Sequence, residues 1–182
     1  MSRSYRRLIP AISAFLVIVL AVAAAGLPLY VFPATGNPKH ADVVFVLGTP
    51  TRAKVQIAQE LVSTGHADRI LISVPRWGRW AAHNMTVCTA QLTYPVDCET
   101  PDPFTTQGEA RMLRTYADDH SVTSAVIVTS VAHITRARLL MQRCFDGALY
   151  FRDDGVPRDL AYWIEQYAYQ TGAFVKASFD SC

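Results

Sequence analysis

Residues 126–140 read VIVTSVAHITRARLL. The first half is an unbroken β-branched run, the pattern of a strand buried on both faces. The second half continues into a helix that sets Ala137, Leu140, Met141 and Cys144 at spacings i, i+3, i+4 and i+7. Thr129, Ser130 and His133 stand at the junction, with Arg136 just inside the helix. A buried strand that feeds straight into a helix is the half-unit of a parallel sheet, and its junction lies at the strand's carboxyl end.

The same unit recurs along the chain. ADVVFVLG (41–48) is an apolar strand, followed by a helical stripe of Val55, Ala58, Leu61 and Val62 over 52–64 that Gly65 stops. DRILISV (68–74) is a second strand. Residues 75–104 are irregular, with prolines at 75, 95, 101 and 103, a short helix within 81–91 and an edge strand in YPVDCE (94–99). Thr106-Gln-Gly-Glu109 reads as a capping box opening a helix to about Asp119, with Met112, Leu113 and Tyr116 inward. SAVIVTS (124–130) is the third buried strand, ALYFRD (148–153) the last, and residues 157–178 a closing helix rich in Tyr and Trp. Non-alternating strands separated by helices predict an α/β fold: a doubly wound parallel sheet with helices on both faces.

Residues 8–32, LIPAISAFLVIVLAVAAAGLPLYVF, carry no charge and no polar face. Twenty-five such residues exceed what a hydrocarbon core of about 30 Å requires of a helix. Arg3, Arg6 and Arg7 precede them and only Lys39 follows closely. The positive-inside rule therefore sets a cytoplasmic tail at 1–7, a single-pass anchor in the plasma membrane at 8–32, a linker at 33–40 and an extracytoplasmic domain at 41–182. Ala23-Ala24-Ala25 also resembles a cleavage site, which leaves a removed signal peptide as the competing reading. The continuation LPLYVF speaks for an uncleaved anchor.

The chain is 182 residues long, 51% hydrophobic, with net charge +2. Without the three leading arginines, 14 basic residues face 15 acidic ones, so the domain has no electrostatic footprint for nucleic acid. The four cysteines, Cys88, Cys98, Cys144 and Cys182, form no C-x-x-C and no zinc spacing. An even count outside the membrane points to two disulfides, Cys88–Cys98 and Cys144–Cys182, with free buried thiols as the alternative. The residues name no cofactor and no metal set. G-x-G-x-x-G, G-x-x-x-x-G-K-[ST] and G-x-S-x-G are all missing.

Ligands of doubly wound sheets bind outside the carboxyl ends of the strands. Polar residues placed three or four before an inward apolar position share its face and look over the sheet edge. Arg52, Glu109, His133 and Arg136 are so placed, and helix N-termini there favour an anion. Three have a duller reading: Arg52 as a solvated charge or the partner of an acid, Glu109 as the capping-box acid, His133 as a structural histidine.

The ADVVFVLG strand, Arg52 with Ala58 and Leu61, ILISV, Glu99 before Thr106-x-x-Glu109-Ala110, and above all VTS-x-x-H-x-x-RA resemble the bacterial YdcF/SanA/ElyC-like family over residues 41 to about 178. The resemblance implies a Rossmann-like sheet, a membrane anchor in many members, a charged enzymatic site and a role in cell-envelope or peptidoglycan-precursor biology. By matching position it places polar site residues at Arg52, Glu99, Thr106, Glu109, Ser130, His133 and Arg136. The chain departs from the pattern after the first strand, where Gly48 leads into Thr49-Pro50, and after the second, where Ser73 leads into Val74-Pro75. The cysteines and the preference for arginine resemble the secreted actinobacterial branch.

Two functional readings follow. In one, His133 is a general acid or base oriented by Glu109 or Glu99, while Gly48, Thr49, Arg52, Thr106, Ser130 and Arg136 hold a phosphorylated or lipid-linked envelope precursor for hydrolysis or phosphoryl or glycosyl transfer. In the other, the same crevice binds an anionic small-molecule or lipid-linked ligand without turning it over, as a scaffold module.

Overall fold

In the computed structural model, residues 3–36 and 38–182 are described, together with all their side chains except those of residues 3–9 and 11. The basic side chains of Arg3, Arg6 and Arg7, on which the orientation rests, therefore lie outside the described set.

The domain is a five-stranded, all-parallel sheet: β1 (Ala41–Val46), β2 (Ala67–Ser73), β3 (Val96–Glu99), β4 (Ser124–Thr129) and β5 (Ala148–Asp153). The strand order is β3-β2-β1-β4-β5. Helices α2 (Arg52–Ser63), α4 (Thr106–His120) and α5 (Ile134–Cys144) connect the strands, and α6 (Leu160–Phe179) closes the chain. Between β2 and β3 lie only a short turn at Ala82–Asn84 and a one-turn helix, α3 (Thr86–Thr89).

Both faces of the sheet are covered, which explains the lack of alternation in its strands. Val43, Phe45 and Leu47 pack with Leu113, Tyr116, Ile134 and Met141 of α4 and α5. Val44 and Val46 pack with Val55 and Ala58 of α2, and with Ile70 and Ile72 of β2. Leu61 and Val62, read as core positions, are only half-buried at the edge of this second layer.

The cysteines pair as Cys88–Cys98 and Cys144–Cys182, with Cα separations of 5.8 and 5.1 Å. The first staples the irregular segment to β3, and the second returns the last residue to α5.

The apolar N-terminus forms α1 (Arg3–Gly26), continued by a wider π-helical turn at Leu27–Val31. Ile12–Val31 is long and apolar enough to cross a membrane, with mean hydropathy 2.5. The segment that follows is packed rather than free: Pro38 is buried and the Gly36 N–H donates to the Phe151 carbonyl. Thr135 Oγ1 donates to the Leu29 carbonyl, and Arg138 donates to that of Ala34.

Candidate functional site

The strand order reverses between β1 and β4, whose connections leave the sheet in opposite directions and open a crevice at their carboxyl ends. A cavity of about 1020 Å³ lies there. Gly48 and Thr49 reach it from β1, Ser130 and His133 from β4, Asp154 and Arg158 from beyond β5, and Thr106 and Glu109 from the start of α4. The inner side of α6 covers it with Tyr162, Gln166 and Gln170.

Local sequence explains how α4 delivers its residues. Thr105, not Thr106, is the N-cap: its backbone is extended and its hydroxyl accepts from the Gly108 N–H. The expected capping box is thus displaced by one residue. Thr106 and Glu109 are released from capping and turn into the cavity. Gly108 is required by close approach, since a Cβ there would lie 1.9 Å from the Pro103 carbonyl oxygen.

His133 closes a short turn, Val131–His133, ahead of α5 and is 7% exposed. Its Nδ1 lies 2.9 Å from Thr129 Oγ1 and its Nε2 3.2 Å from Thr106 Oγ1. Two hydroxyls, rather than the expected carboxylate, hold the ring. Burial, reinforced by the positive charges of Arg136 and Lys54, pushes His133 well below its ordinary value, so the ring is neutral at physiological pH. Arg136 donates through Nη1 to Thr106 Oγ1 (3.1 Å) and through Nε to Gln170 Oε1 (3.0 Å). It does not pair with Glu109. With five N–H donors, its guanidinium keeps capacity toward the cavity.

Glu109 is buried and accepts from the Gly48 N–H at 2.7 Å, which ties the end of β1 to α4. Burial raises its pKa; the Ser73 hydroxyl, the Gly48 N–H and the charges of Lys54 and Arg136 oppose that rise. The Ser73 hydroxyl lies close enough to favour the carboxylate but forms no hydrogen bond of full geometry.

Two expected residues stay out of the cavity. Arg52 begins α2 with its side chain exposed, because the helix turns residue 54 rather than 52 toward the sheet. Glu99 ends the edge strand β3, exposed, and does not line the cavity. Desolvation and Asp97 raise its pKa there, without placing it near His133.

Lys54, absent from the sequence reading, takes the place intended for Arg52. It is 5% exposed, and its Nζ donates to the Leu47 and Thr49 carbonyls at 3.2 and 2.9 Å. Burial lowers its pKa, while Glu109 and Asp154 oppose the shift. Asp154 and Arg158 form a largely buried ion pair, and the Arg158 guanidinium lies 4.5 Å over the Tyr162 ring. The signal for them was Asp154-x-x-x-Arg158 directly after the last strand, a carboxyl end like the others.

Thr51 Oγ1, Arg158 Nε and the Tyr162 hydroxyl are buried without a hydrogen-bond partner, and all three residues line this cavity. The Ser130 hydroxyl sits near that of Tyr162 without satisfying it in full geometry. Native interiors rarely leave such groups unpaired, which makes this cavity the candidate site. Among the described residues, His40, Asp42 and Asp68 are also grouped at metal-ligand distances. They lie at the opposite, amino end of the sheet, where Asp42 caps Thr123 and Ser124.

Compared with family models, curated proteins and solved structures, the chain matches none.

Proposed function

We propose that this chain is a single-pass, membrane-anchored domain, facing away from the cytoplasm, that binds a phosphorylated ligand at the carboxyl edge of its sheet. The observation that carries this reading is the coincidence of cations and unpaired donors. Arg136, Arg158 and Lys54 meet at one cavity with the unpartnered Thr51, Arg158 and Tyr162 groups. Arginine forks and hydroxyls at helix starts suit phosphate oxygens. A volume near the upper end of the usual range, about 300–1,000 Å³, suits a ligand larger than the bare anion. The two disulfides and the apolar N-terminal helix support the location. The likeness to YdcF/SanA/ElyC-like sequences supports a task in cell-envelope or peptidoglycan-precursor metabolism.

A catalytic version of this reading draws on the Thr106–His133 contact. Neutral His133 accepts the hydroxyl proton of Thr106 at Nε2 while Nδ1 donates to Thr129, and Arg136 steadies the developing negative charge. That arrangement serves hydrolysis or group transfer on a phosphoryl or glycosyl centre. The non-catalytic alternative uses the same contacts to hold the ligand.

Titration of the full chain in nanodiscs with inorganic phosphate, a sugar phosphate and a polyprenyl phosphate tests the proposal. Saturable binding of at least one, weakened about 10-fold or more by Arg136→Gln, is expected. No binding by any of the three, or equal binding by the Arg136 variant, would overturn it. Release of phosphate or sugar during the titration, lost in Thr106→Val, selects the catalytic version.

A further inference from the structure

The outer side of α6 is more apolar than its inner side. Leu160, Ile164, Ala168, Gly172, Val175 and Phe179 follow one another at intervals of three and four residues, a single stripe. The four large side chains of that stripe are 58–86% exposed, and no charged residue interrupts it. The opposite side carries Tyr162, Gln166 and Gln170 into the cavity. A surface helix normally shows the reverse distribution.

The edge of this stripe touches the anchor. The Tyr167 hydroxyl donates to the Ala23 carbonyl (2.9 Å), and its ring packs edge-on against Tyr30 at 5.2 Å. The Tyr30 and Thr171 hydroxyls are 3.0 Å apart. Gly26 provides the room, for a Cβ there would lie 2.2 Å from Tyr167 Cε1. Ala23, Gly26 and Tyr30 all belong to the apolar span Ile12–Val31. Gly26 stands five residues before the end of that span, about 7 Å along the axis at 1.5 Å per residue. Helices lying in the membrane interface bury their apolar face by about 5–10 Å.

We propose that the outer face of α6 is a second membrane contact, lying in the boundary between headgroups and acyl chains of the leaflet where the anchor emerges. The inference rests on the anchor reading above. The occupant is lipid because the stripe is continuous with the lipid-facing surface of the anchor and at matching depth. Tyr167, half-buried against Tyr30, stands at the level where membrane proteins concentrate aromatic residues. Ala168 and Gly172 line the cavity as well as the stripe, so the cavity opens beside the lipid surface.

The test is photolabelling of the unmodified full chain in vesicles containing a diazirine-bearing phosphatidylcholine, with adducts mapped by peptide. Adducts are expected within 12–31 and on Leu160, Ile164, Val175 and Phe179, with none on the exposed Gln56 of α2. The double variant Ile164→Glu/Val175→Glu, whose residues do not line the cavity, should lose the α6 adducts several-fold and keep those of the anchor. Labelling of 12–31 alone overturns the α6 contact and leaves the anchor standing. Labelling of neither sinks the anchor reading and the contact with it. Photocrosslinks joining α6 of two copies, without lipid adducts, identify a second protein molecule as the occupant and overturn the proposal.

Discussion

His133 Nε2 lies 3.2 Å from Thr106 Oγ1, and the same oxygen accepts from Arg136 Nη1 at 3.1 Å. One hydroxyl at the start of α4 thus joins His133 and Arg136 of the VTS-x-x-H-x-x-R segment at the cavity.

His133 is buried and bonded at both ring nitrogens, so it contributes to stability as well as to the site. His133→Ala takes the ring partner from the Thr129 hydroxyl, leaves the Thr106 hydroxyl with Arg136 alone and opens a hole beside both, at an expected cost of about 2–4 kcal/mol. Urea denaturation of the variant should show this loss together with weakened ligand binding. A stability loss below about 0.5 kcal/mol would mean that the two hydrogen bonds contribute little.

The depressed pKa of His133 has a pH signature. The unfolded ring titrates near 6.5, while the folded ring stays neutral to lower pH. As pH falls through about 6.5 the unfolded state gains a proton that the folded state refuses, so stability drops on acidification. Glu109 acts in the opposite sense. Its folded pKa is raised above 4.5, so the folded state holds a proton there that the unfolded state has released, and stability gains as pH falls through that window. The His133 contribution is isolated by difference: between pH 7.5 and 5.5, the urea midpoint of His133→Asn should fall less steeply than that of the natural chain. Parallel curves would contradict a neutral buried ring.

The layered sheet was legible because its strands are buried on both faces and its helices on one, so each element carries its own period. Both disulfides followed from the cysteine count and the apolar N-terminal segment that precedes the domain. The site was legible only in part. Helix phase near an N-terminus shifts by a residue with the cap: Thr105 takes the cap expected of Thr106, and α2 turns Lys54 inward where Arg52 was expected. Glu99 followed the motif order, but its strand lies at the sheet edge, with β2 and β1 between it and β4. Arg158 was marked only by its place after a strand's carboxyl end, and Tyr162 was hidden because it reaches the cavity from α6, whose inner side is polar and whose outer side is apolar.

Glu109→Gln keeps an acceptor for the Gly48 N–H while removing a carboxylate that burial disfavours. With one negative charge fewer beside the cavity, inorganic phosphate should bind about 10-fold more tightly. Stability at neutral pH should hold or rise. Calorimetric titration decides between the signs: weaker phosphate binding would show that the Glu109 charge itself serves the ligand.

The two disulfides should separate stability from function. Each cross-link restrains the unfolded chain, so removing either costs about 2–4 kcal/mol. Cys88–Cys98 staples residues that do not line the cavity. Cys144–Cys182 holds the tail that seats α6. Arg111 donates to the Cys182 carbonyl, Gln107 to that of Ser181, and Arg143 to those of Ala177 and Asp180. Ala177 and Asp180 border the cavity, and Gln170, two helix turns before Ala177, carries Arg136. Freeing the tail therefore loosens one wall of the site. Cys144→Ser/Cys182→Ser should lower phosphate affinity at a temperature where both variants remain folded, whereas Cys88→Ser/Cys98→Ser should lower the melting temperature and leave affinity within about twofold. Affinity within about twofold in both variants would mean that α6 is held by its packing on α5 and the apolar N-terminal segment, and that the C-terminal bridge acts on the unfolded chain alone.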